Sequence, residues 1–249
     1  MERTGWHTMV GGAIPPPVMR FIKQTGKAIN TYSMIREGET ILLSASGGKD
    51  SLALALALSL RKRWLPIDYT LKAVLINWIE HPIPVEYRAL LTEYFTTLGY
   101  DFTILDEHQY PDSFKGEFNC YLCSRNRRRI LFEYCEREGI EVIAMGHHLD
   151  DLVETSLMNL CFRANFSTMQ PVQPFFGGKL TIVRPMIEVR ESTIRTIARR
   201  AELPVIKPVC PFDQTNVRSR LKPIISELSH IDKLTREHIY HAHQFEGRV

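Results

Sequence analysis

The stretch TILLSASGGKDSLALALALSLR, from Thr40 to Arg61, decides the fold. The largely apolar run TILLSA predicts a buried strand, and the strong helix formers over 51–63 predict a helix. Two glycines between them lead into Lys49 and Asp50. A glycine turn between a strand and a helix directs backbone N–H groups and the helix dipole at an anion, so the stretch predicts phosphate binding. The alternative is a plain strand-to-helix turn in which Asp50 caps the helix.

Strands and helices alternate on either side of this stretch. The predicted strands are 40–45, 71–77, 101–105, 140–146 and 179–185, and the predicted helices are 51–63, 85–99, 123–138, 150–162 and 188–203. This alternation predicts an α/β fold, a Rossmann-like parallel sheet with helices on both faces. We expect an N-terminal extension with a helix over 1–36, a main domain over 37–225 and a C-terminal helical tail over 226–249.

Composition indicates an ordinary soluble globular protein, because the 249 residues are 44% hydrophobic and 24% charged. No secretory signal or membrane span is visible, and five cysteines without such a signal are typical of a reducing compartment. We therefore expect a cytoplasmic protein with no membrane partner. The formal net charge is only +3, but basic residues cluster at 61–63, 125–129 and 190–222. One such cluster is typical of a solvated helix face, whereas three favour a polyanionic partner.

Three loops are expected to meet at one edge of the sheet, because parallel strands bring their carboxyl ends together and such folds bind ligands there. These loops are 46–51, 77–81 and 146–151. The third carries Gly146, His147, His148, Asp150 and Asp151, a density of titratable groups typical of a functional site. In the alternative interpretation, Asp150 only caps the following helix and the histidines are surface residues.

The glycine turn lacks the Walker A pattern, because Leu43 and Asp50 occupy the positions of its first Gly and its Ser or Thr. SGGKDS instead resembles the signature of the PP-loop ATP pyrophosphatases, which cleave ATP between its α- and β-phosphates. The glycines permit close backbone approach, Lys49 supplies positive charge and Asp50 offers a carboxylate to Mg²⁺. We expect catalytic roles for Lys49, Asp50 and Asp151. The resemblance implies ATP contacts from Ser44, Ser46, Gly47, Gly48, Lys49, Asp50, Ser51, Ile76 (whose backbone would receive the adenine), Gly146 and His147.

The cysteines form one short motif and three isolated positions. Cys120 and Cys123 make a lone CxxC, whose spacing suits zinc, an iron–sulfur cluster or redox chemistry. Zinc needs two further ligands, and no second CxxC or His pair of matching spacing is present. Cys210 lies between prolines, which exclude a helix interior, and is a third candidate ligand. Cys135 and Cys161 lie in apolar helix stripes and are expected to be core residues.

Five motifs in order, SGGKDS, CYLCSRNRRRILFEY, GHHLDDLVETSLMNL, IVRPMIEVRE and a Pro-bounded Cys, resemble the tRNA 2-thiocytidine synthetases over residues 20–225. These PP-loop enzymes replace the exocyclic oxygen of an anticodon-loop cytidine with sulfur. The resemblance implies a [4Fe–4S] cluster held by Cys120, Cys123 and Cys210, with one iron lacking a protein ligand. It implies ATP, Mg²⁺ and tRNA as further partners, with a sulfur donor such as a cysteine desulfurase or free sulfide, and it leaves a homodimer open.

The resemblance also implies a two-step reaction. The cytidine O2 would attack the α-phosphate of ATP, and sulfide would then displace AMP, while arginines 125, 127, 128 and 129 hold RNA beside the cluster. One departure stands out, because the family often places a second cysteine just before the third, where Pro208 and Val209 stand here. Asp213 or His108 could supply a fourth cluster ligand instead.

Three other interpretations remain open. A PP-loop enzyme that attaches lysine to a tRNA cytidine would have no use for three cysteines. A tRNA 2-thiouridine synthetase typically carries additional CxxC zinc pairs, which this sequence lacks. A zinc-stabilised nucleic-acid-binding module without catalysis would leave Lys49 and Asp50 unexplained.

Overall fold

The chain forms one mixed but mostly parallel sheet in a computed structural model that describes residues 5–110, 120–206 and 217–243. Its described strands are β1 (Thr40–Ala45), β2 (Thr70–Trp78), β3 (Asp101–Glu107), β4 (Val142–Ala144), β5 (Val172–Phe175) and β6 (Leu180–Val183). They lie in the order β3-β2-β1-β4-β6-β5. Every neighbouring pair is parallel except β5 and β6, which are antiparallel. The predicted α/β fold is therefore confirmed.

The described helices are α1 (Trp6–Gly11), α2 (Pro16–Thr31), α3 (Lys49–Arg61), α4 (Val85–Thr97), α5 (Cys120–Glu138), α6 (Leu149–Arg163), α7 (Glu191–Arg200), α8 (Val217–Ile231) and α9 (Thr235–Ala242). Each helix predicted between 18 and 203 has its counterpart among them. The helix α1 was not predicted, because it is a single short segment between glycines. In the part of the chain described here, no helix combines the length and the apolar character needed to cross a bilayer.

The sheet is covered on both faces because side chains alternate along its central strand. Ile41 and Leu43 of β1 pack into one apolar cluster with α2, α3, α4 and α7, whereas Leu42 points to the other face, into a cluster with α5. Helix α3 is enclosed on every side, since all its residues from Leu52 to Leu58 are fully buried. A helix that is apolar all round is stable only as a core helix. The strand–turn–helix unit around SGGKDS therefore forms the centre of the molecule.

The C-terminal helices pack against the sheet domain through polar contacts. The Tyr240 hydroxyl of α9 bonds to the Tyr32 hydroxyl and donates to Glu188 Oε1 at 2.8 Å. Nearby, Ser156 of α6 and His243 share a hydrogen bond of 2.8 Å. Helix α9 is thereby fixed beside α6, and α8 contacts both of these helices.

The edge strand β5 was not predicted. It contains Pro174, which cannot donate a backbone hydrogen bond and so lowers the strand signal of its sequence. An edge strand tolerates proline, because one side of its backbone has no partner. At this edge of the sheet, β5 pairs with β6 in an antiparallel hairpin, and Pro174 lies opposite Thr181.

Candidate active site

The turn between β1 and α3 is closed by two serine hydroxyls. The Ser46 N–H donates to Ser51 Oγ at 3.2 Å, and the two hydroxyl oxygens lie 3.1 Å apart. The Gly48 N–H donates to Ser46 Oγ at 3.3 Å, and Ser51 Oγ donates to the Gly48 carbonyl at 3.1 Å. These bonds hold SGGKDS as a compact turn that leads directly into the first turn of α3, where backbone N–H groups favour an anion.

Two glycines allow neighbouring backbone to press against this turn. Gly47 has a φ of +72°, and a Cβ there would lie 3.1 Å from Ile206 Cδ1. The Ile206 N–H also donates to the Gly47 carbonyl at 2.9 Å. From the opposite side, a Cβ on Gly146 would lie 3.1 Å from the carbonyl carbon of Asp50. The turn is thus packed between the loop after β4 and the segment after α7.

Lys49 is held between two carboxylates. Its Nζ lies 3.0 Å from Asp50 Oδ2 and 2.9 Å from Glu191 Oε1 at the start of α7. Burial alone would lower the pKa of Lys49, but these two carboxylates outweigh it and raise the pKa. Burial alone would likewise raise the pKa of Glu191, whereas its bond to Lys49 and the nearby charge of Lys222 lower it to about 2. The Lys49 ammonium and the Glu191 carboxylate are therefore charged at neutral pH.

The loop after β4 builds a helix cap. His148, buried at the N-terminus of α6, accepts the Asp151 N–H through Nδ1 at 3.4 Å, and Asp151 Oδ2 accepts the His148 N–H at 3.0 Å. This reciprocal pair satisfies two N–H groups that α6 cannot pair internally. The alternative in which Asp150 caps this helix and the histidines lie on the surface is wrong, because His148 occupies the cap position and is buried.

Asp150 instead joins three helices. Its Oδ2 accepts the backbone N–H of Glu191 at the N-terminus of α7 at 2.7 Å. Its Oδ1 accepts Arg236 Nε of α9 at 2.6 Å. A carboxylate at a helix N-terminus is stabilised by the helix dipole, and Arg236 supplies the compensating charge. Asp150 thereby fixes α7, and with it Glu191, next to Lys49.

A pocket of about 330 Å³, termed the loop pocket, lies over the turn. Seven residues predicted to belong to the site line it: Ser44, Ser46, Asp50, Ser51, Gly146, His147 and Asp151. Its other walls come from Leu131, Met145, Ser124, Arg127 and Arg128. The sequence-based prediction that the first and third loops share one edge is therefore confirmed.

Two buried polar atoms of residues lining the loop pocket have no hydrogen-bond partner among the described residues: Asp50 Oδ1 and His147 Nδ1. Burial, together with the charges of Arg184 and Arg218, lowers the pKa of His147 to about 3, so its imidazole is neutral at pH 7. A carboxylate oxygen and a neutral imidazole nitrogen without partners are groups that a bound ligand or hydrated cation would satisfy.

A second pocket of about 260 Å³, termed the strand-end pocket, adjoins the first and shares Ser46 and Arg127 with it. Leu75, Ile76, Asn77, Trp78, His81 and Ile83 form its side along and beyond β2, and Gly48, Gln109, Cys123 and Ile206 complete it. Pairing between β1 and β2 ends at Ala45 and Leu75, so the Ile76 backbone continues past the end of β1. Ile76 therefore lines this pocket beyond the end of β1, and its contact with adenine stays a prediction.

Cys123 lies in the wall of the strand-end pocket. Gln109 Nε2 donates to its Sγ at 3.3 Å, and the guanidinium of Arg127 lies 5.5 Å from the centre of the Trp78 ring. The buried Trp78 Nε1 has no partner among the described residues. One thiol of the CxxC motif is thus placed next to the turn, in a wall that also carries a cation and an aromatic ring.

The other predicted ligands are not placed by the structure. The side chain of Cys120 and all of Cys210 and Asp213 lie outside the described residues, and the described ranges contain no group of three or more His, Cys, Asp and Glu suited to a metal ion. His108 is exposed and bonds to Glu80 Oε1 at 3.2 Å. Its position neither tests nor replaces the predicted ligand set.

The two remaining cysteines differ in their surroundings. Cys135 is buried as predicted, and burial raises the pKa of its thiol to about 12. The prediction of a core position for Cys161 is wrong, because this side chain is exposed. The buried face of α6 ends at Ser156, and Leu160 and Phe162 beside Cys161 are exposed as well.

Several residues of the site were not predicted. Glu191 pairs with Lys49, and Glu154 lies buried one turn beyond Asp151 on α6. Helix α8 brings Arg218 Nη1 to 3.7 Å from Asp151 Oδ1, and Lys222 Nζ to 3.9 Å from Glu154 Oε1 and 3.7 Å from Glu191 Oε2. The basic cluster at 190–222 was visible in the sequence, but these partners of Arg218 and Lys222 were not, because each lies more than 30 positions away along the chain.

A family profile described as PP-loop domain matches residues 18–228. The chain is 35% identical over 217 residues to the tRNA-cytidine(32) 2-sulfurtransferase of Burkholderia multivorans, covering 84% of this chain and 63% of that protein. It is 34% identical to the protein of the same name from Burkholderia ambifaria, covering 84% of this chain and 62% of that protein. The chain thus spans less than two thirds of the length of these curated relatives.

Among solved structures, the U34-tRNA thiolase NcsA from Methanococcus maripaludis, determined with its [4Fe-4S] cluster, resembles this chain with a TM-score of 0.71. The two sequences are 22% identical, and the match covers 90% of this chain and 78% of NcsA. At this identity the likeness concerns the fold alone.

Burial raises the pKa of Glu154 to about 7, from an ordinary value of 4.5. Its carboxyl is therefore favoured in the neutral form, and the folded state loses stability as the pH rises from about 4.5 through 7. We expect Glu154→Gln to raise the melting temperature, relative to the unaltered protein, more at pH 8 than at pH 5. Glu136→Gln, at an exposed position of α5, is the control and should give the same small difference at both pH values. A Glu154→Gln effect that does not change with pH would contradict the assignment.

Proposed function

The chain belongs to the PP-loop domain family, and from this premise we propose that it is an ATP-dependent tRNA sulfurtransferase that converts an anticodon-loop cytidine to 2-thiocytidine. One observation carries the proposal: the loop pocket and the strand-end pocket share Ser46 and Arg127, and Cys123 lies in the wall of the second. A nucleotide on the turn and sulfur chemistry at the CxxC motif would therefore act on one substrate base, at its O2 and C2 atoms. The curated relatives named tRNA-cytidine(32) 2-sulfurtransferase support this choice of substrate.

ATP would bind along the turn. Its phosphates would meet the N–H groups of Gly48 and Lys49 and the N-terminus of α3, while Lys49 supplies a positive charge. The side chains of Ser44, Ser46 and Ser51 would add hydroxyl contacts. Gly47 and Gly146 would contribute through their backbone, because they allow the close packing that holds the turn in place. The adenine would enter the strand-end pocket, where the backbone near Ile76 is free of β1.

Mg²⁺ would accompany the phosphates at the carboxylates of the loop pocket. Asp50 Oδ1 has no hydrogen-bond partner among the described residues, although it lies 3.6 Å from His148 Nε2. Asp151 lines the same pocket, so the donors are the hard oxygens that this ion prefers. When bound, the ion would neutralise charge on the leaving pyrophosphate. The neutral His147 beside them can accept a hydrogen bond without adding positive charge.

The chain's own residues would position two displacements. In the first, the cytidine O2 attacks the α-phosphorus, an O–P bond forms, and pyrophosphate leaves with its bridging oxygen. In the second, sulfide adds to C2 of the activated base, and AMP leaves with the original O2. Lys49 and the turn amides hold the phosphates through both steps, so the protein acts mainly by orientation and by stabilising developing charge.

A [4Fe–4S] cluster would be held by Cys120, Cys123 and Cys210. The contact from Gln109 Nε2 to Cys123 Sγ is the kind of N–H to sulfur bond that stabilises a thiolate ligand, and Cys123 faces the pocket proposed for the nucleotide. When bound, the cluster would supply the sulfur for the second displacement at an iron without a protein ligand. Free sulfide or a cysteine desulfurase would replenish that sulfur.

The proposal also covers RNA binding, localisation, assembly and domain organisation. Arg127 and Arg128 line the loop pocket and would hold RNA phosphates beside the reacting cytidine. We further propose that the enzyme is cytoplasmic and that a homodimer is one option for its assembly. We propose that the chain consists of an extension over 1–36, a PP-loop domain over 37–225 and a helical tail over 226–249.

The nucleotide site is tested by two substitutions on the turn. We expect Lys49→Ala and Asp50→Asn each to abolish formation of AMP and pyrophosphate, because they remove the phosphate charge and the metal carboxylate, while the far-ultraviolet circular dichroism stays unchanged. Lys27→Ala, an exposed lysine on α2, is the matched control and should retain full activity. Adenylation at a near-normal rate in either turn variant would disprove the assignment.

The cluster ligands are tested by iron and sulfide content after anaerobic reconstitution. Cys120→Ala, Cys123→Ala and Cys210→Ala should each lose the cluster and tRNA thiolation but keep ATP binding. Cys135→Ala, at a buried position, and Cys161→Ala, at an exposed one, should retain all three properties. A fully loaded Cys210→Ala protein, or an empty Cys135→Ala protein that remains folded, would overturn the ligand set.

A further inference from the structure

A third pocket of about 850 Å³ lies between α5 and the turn that joins β5 to β6. We term it the basic–aromatic groove, after six of the residues that line it: Arg125, Arg128, Arg129, Phe132, Phe176 and Lys179. None of them is among the residues proposed to bind ATP, although Arg128 also lines the loop pocket. The groove and the loop pocket are therefore neighbouring surfaces that share one cation.

Phe176 is presented to solvent by an unfavourable backbone conformation. Its φ is +52°, in the left-handed region that bulky residues rarely adopt, and 65% of its surface is exposed. Gly177 and Gly178 continue the turn with φ values of +67° and +91°. An edge contact with Phe132, at 5.5 Å between ring centres, supports the ring. A strained residue that holds an apolar ring outside the core indicates a binding function rather than a packing function.

The four cations of the groove outnumber the two carboxylates that also line it, Glu133 and Glu136. Within the described ranges, Arg125, Arg128 and Lys179 have no carboxylate within ion-pair distance, whereas Arg129 is paired with Glu133 at 2.7 Å. The charge of Arg128, after burial, also contributes to lowering the pKa of Arg184 to about 10. A surface with several unpaired cations around an exposed ring suits a ligand that combines negative charge with a flat apolar face.

We propose that the basic–aromatic groove binds single-stranded RNA, with an unpaired base stacked on Phe176 and the adjoining phosphates at Arg125 and Lys179. An aromatic ring flanked by cations is how proteins hold unpaired nucleotides without reading their sequence. Because Arg128 borders both pockets, the base on Phe176 belongs to a nucleotide close to the reacting cytidine. The inference rests on the proposed function, since it assigns the position of the same RNA substrate.

The test measures fluorescence anisotropy of a labelled RNA hairpin that carries an anticodon loop. Phe176→Leu keeps the size and apolar character of the side chain but removes the stacking face, and it should weaken binding by about 5- to 150-fold, the range for one stacked base. Phe176→Trp should bind as tightly as the unaltered protein. Trp64→Leu, an exposed aromatic at the far end of α3, is the matched control and should have no effect.

Salt dependence separates stacking from charge. Phe176→Leu should leave the slope of log K against log salt unchanged, whereas Arg125→Ala should reduce its magnitude by about one. If Phe176→Leu binds the hairpin as tightly as the unaltered protein, the groove is not an RNA site, whereas the proposed function stands. This is the result expected if the groove binds another protein instead. If the unaltered protein binds no hairpin at any salt concentration, the proposed function fails together with the inference.

Discussion

The tight packing of backbone around the turn between β1 and α3 is the constraint on which the site depends. Gly47 packs against Ile206 on one side and Gly146 against Asp50 on the other, each so closely that an added Cβ would lie 3.1 Å from its neighbour and force that neighbour to shift. Since α3 is buried along its length, the turn cannot move away from these neighbours. The loop after β4 and the segment after α7 are therefore held at the phosphate-binding turn, and the residues they carry become parts of one site.

Charge is organised around the same turn by residues from distant segments. Asp150 fixes the N-terminus of α7 and the side chain of Arg236, and this places Glu191 against Lys49. Helix α8 adds Lys222 next to Glu191 and Glu154. The carboxylates keep Lys49 charged and oriented, so that phosphate oxygens entering the loop pocket would meet a cation already in place rather than one that must be ordered on binding.

Local sequence was enough to predict most of the helices and strands, whereas several residues of the site depend on contacts between distant segments. The apolar run at 40–45 and the helix formers after Gly48 sufficed to place β1, α3 and the turn, because both elements are buried and strongly patterned. The edge strand β5 escaped prediction because Pro174 weakens its pattern. Glu191 and the capping role of His148 could not be read from spacing, since each depends on a tertiary contact. Cys161 was misplaced because periodicity does not indicate where a helix leaves the core.

The central claim is that one site joins nucleotide activation to sulfur transfer on a tRNA cytidine. The most direct test incubates the anaerobically reconstituted protein with unmodified tRNA, Mg-ATP and sulfide, then digests the RNA and identifies its nucleosides by mass spectrometry. The account predicts 2-thiocytidine, formed only with ATP and accompanied by AMP and pyrophosphate. The appearance of 2-thiouridine instead, or AMP release without any thiolated nucleoside, would contradict it.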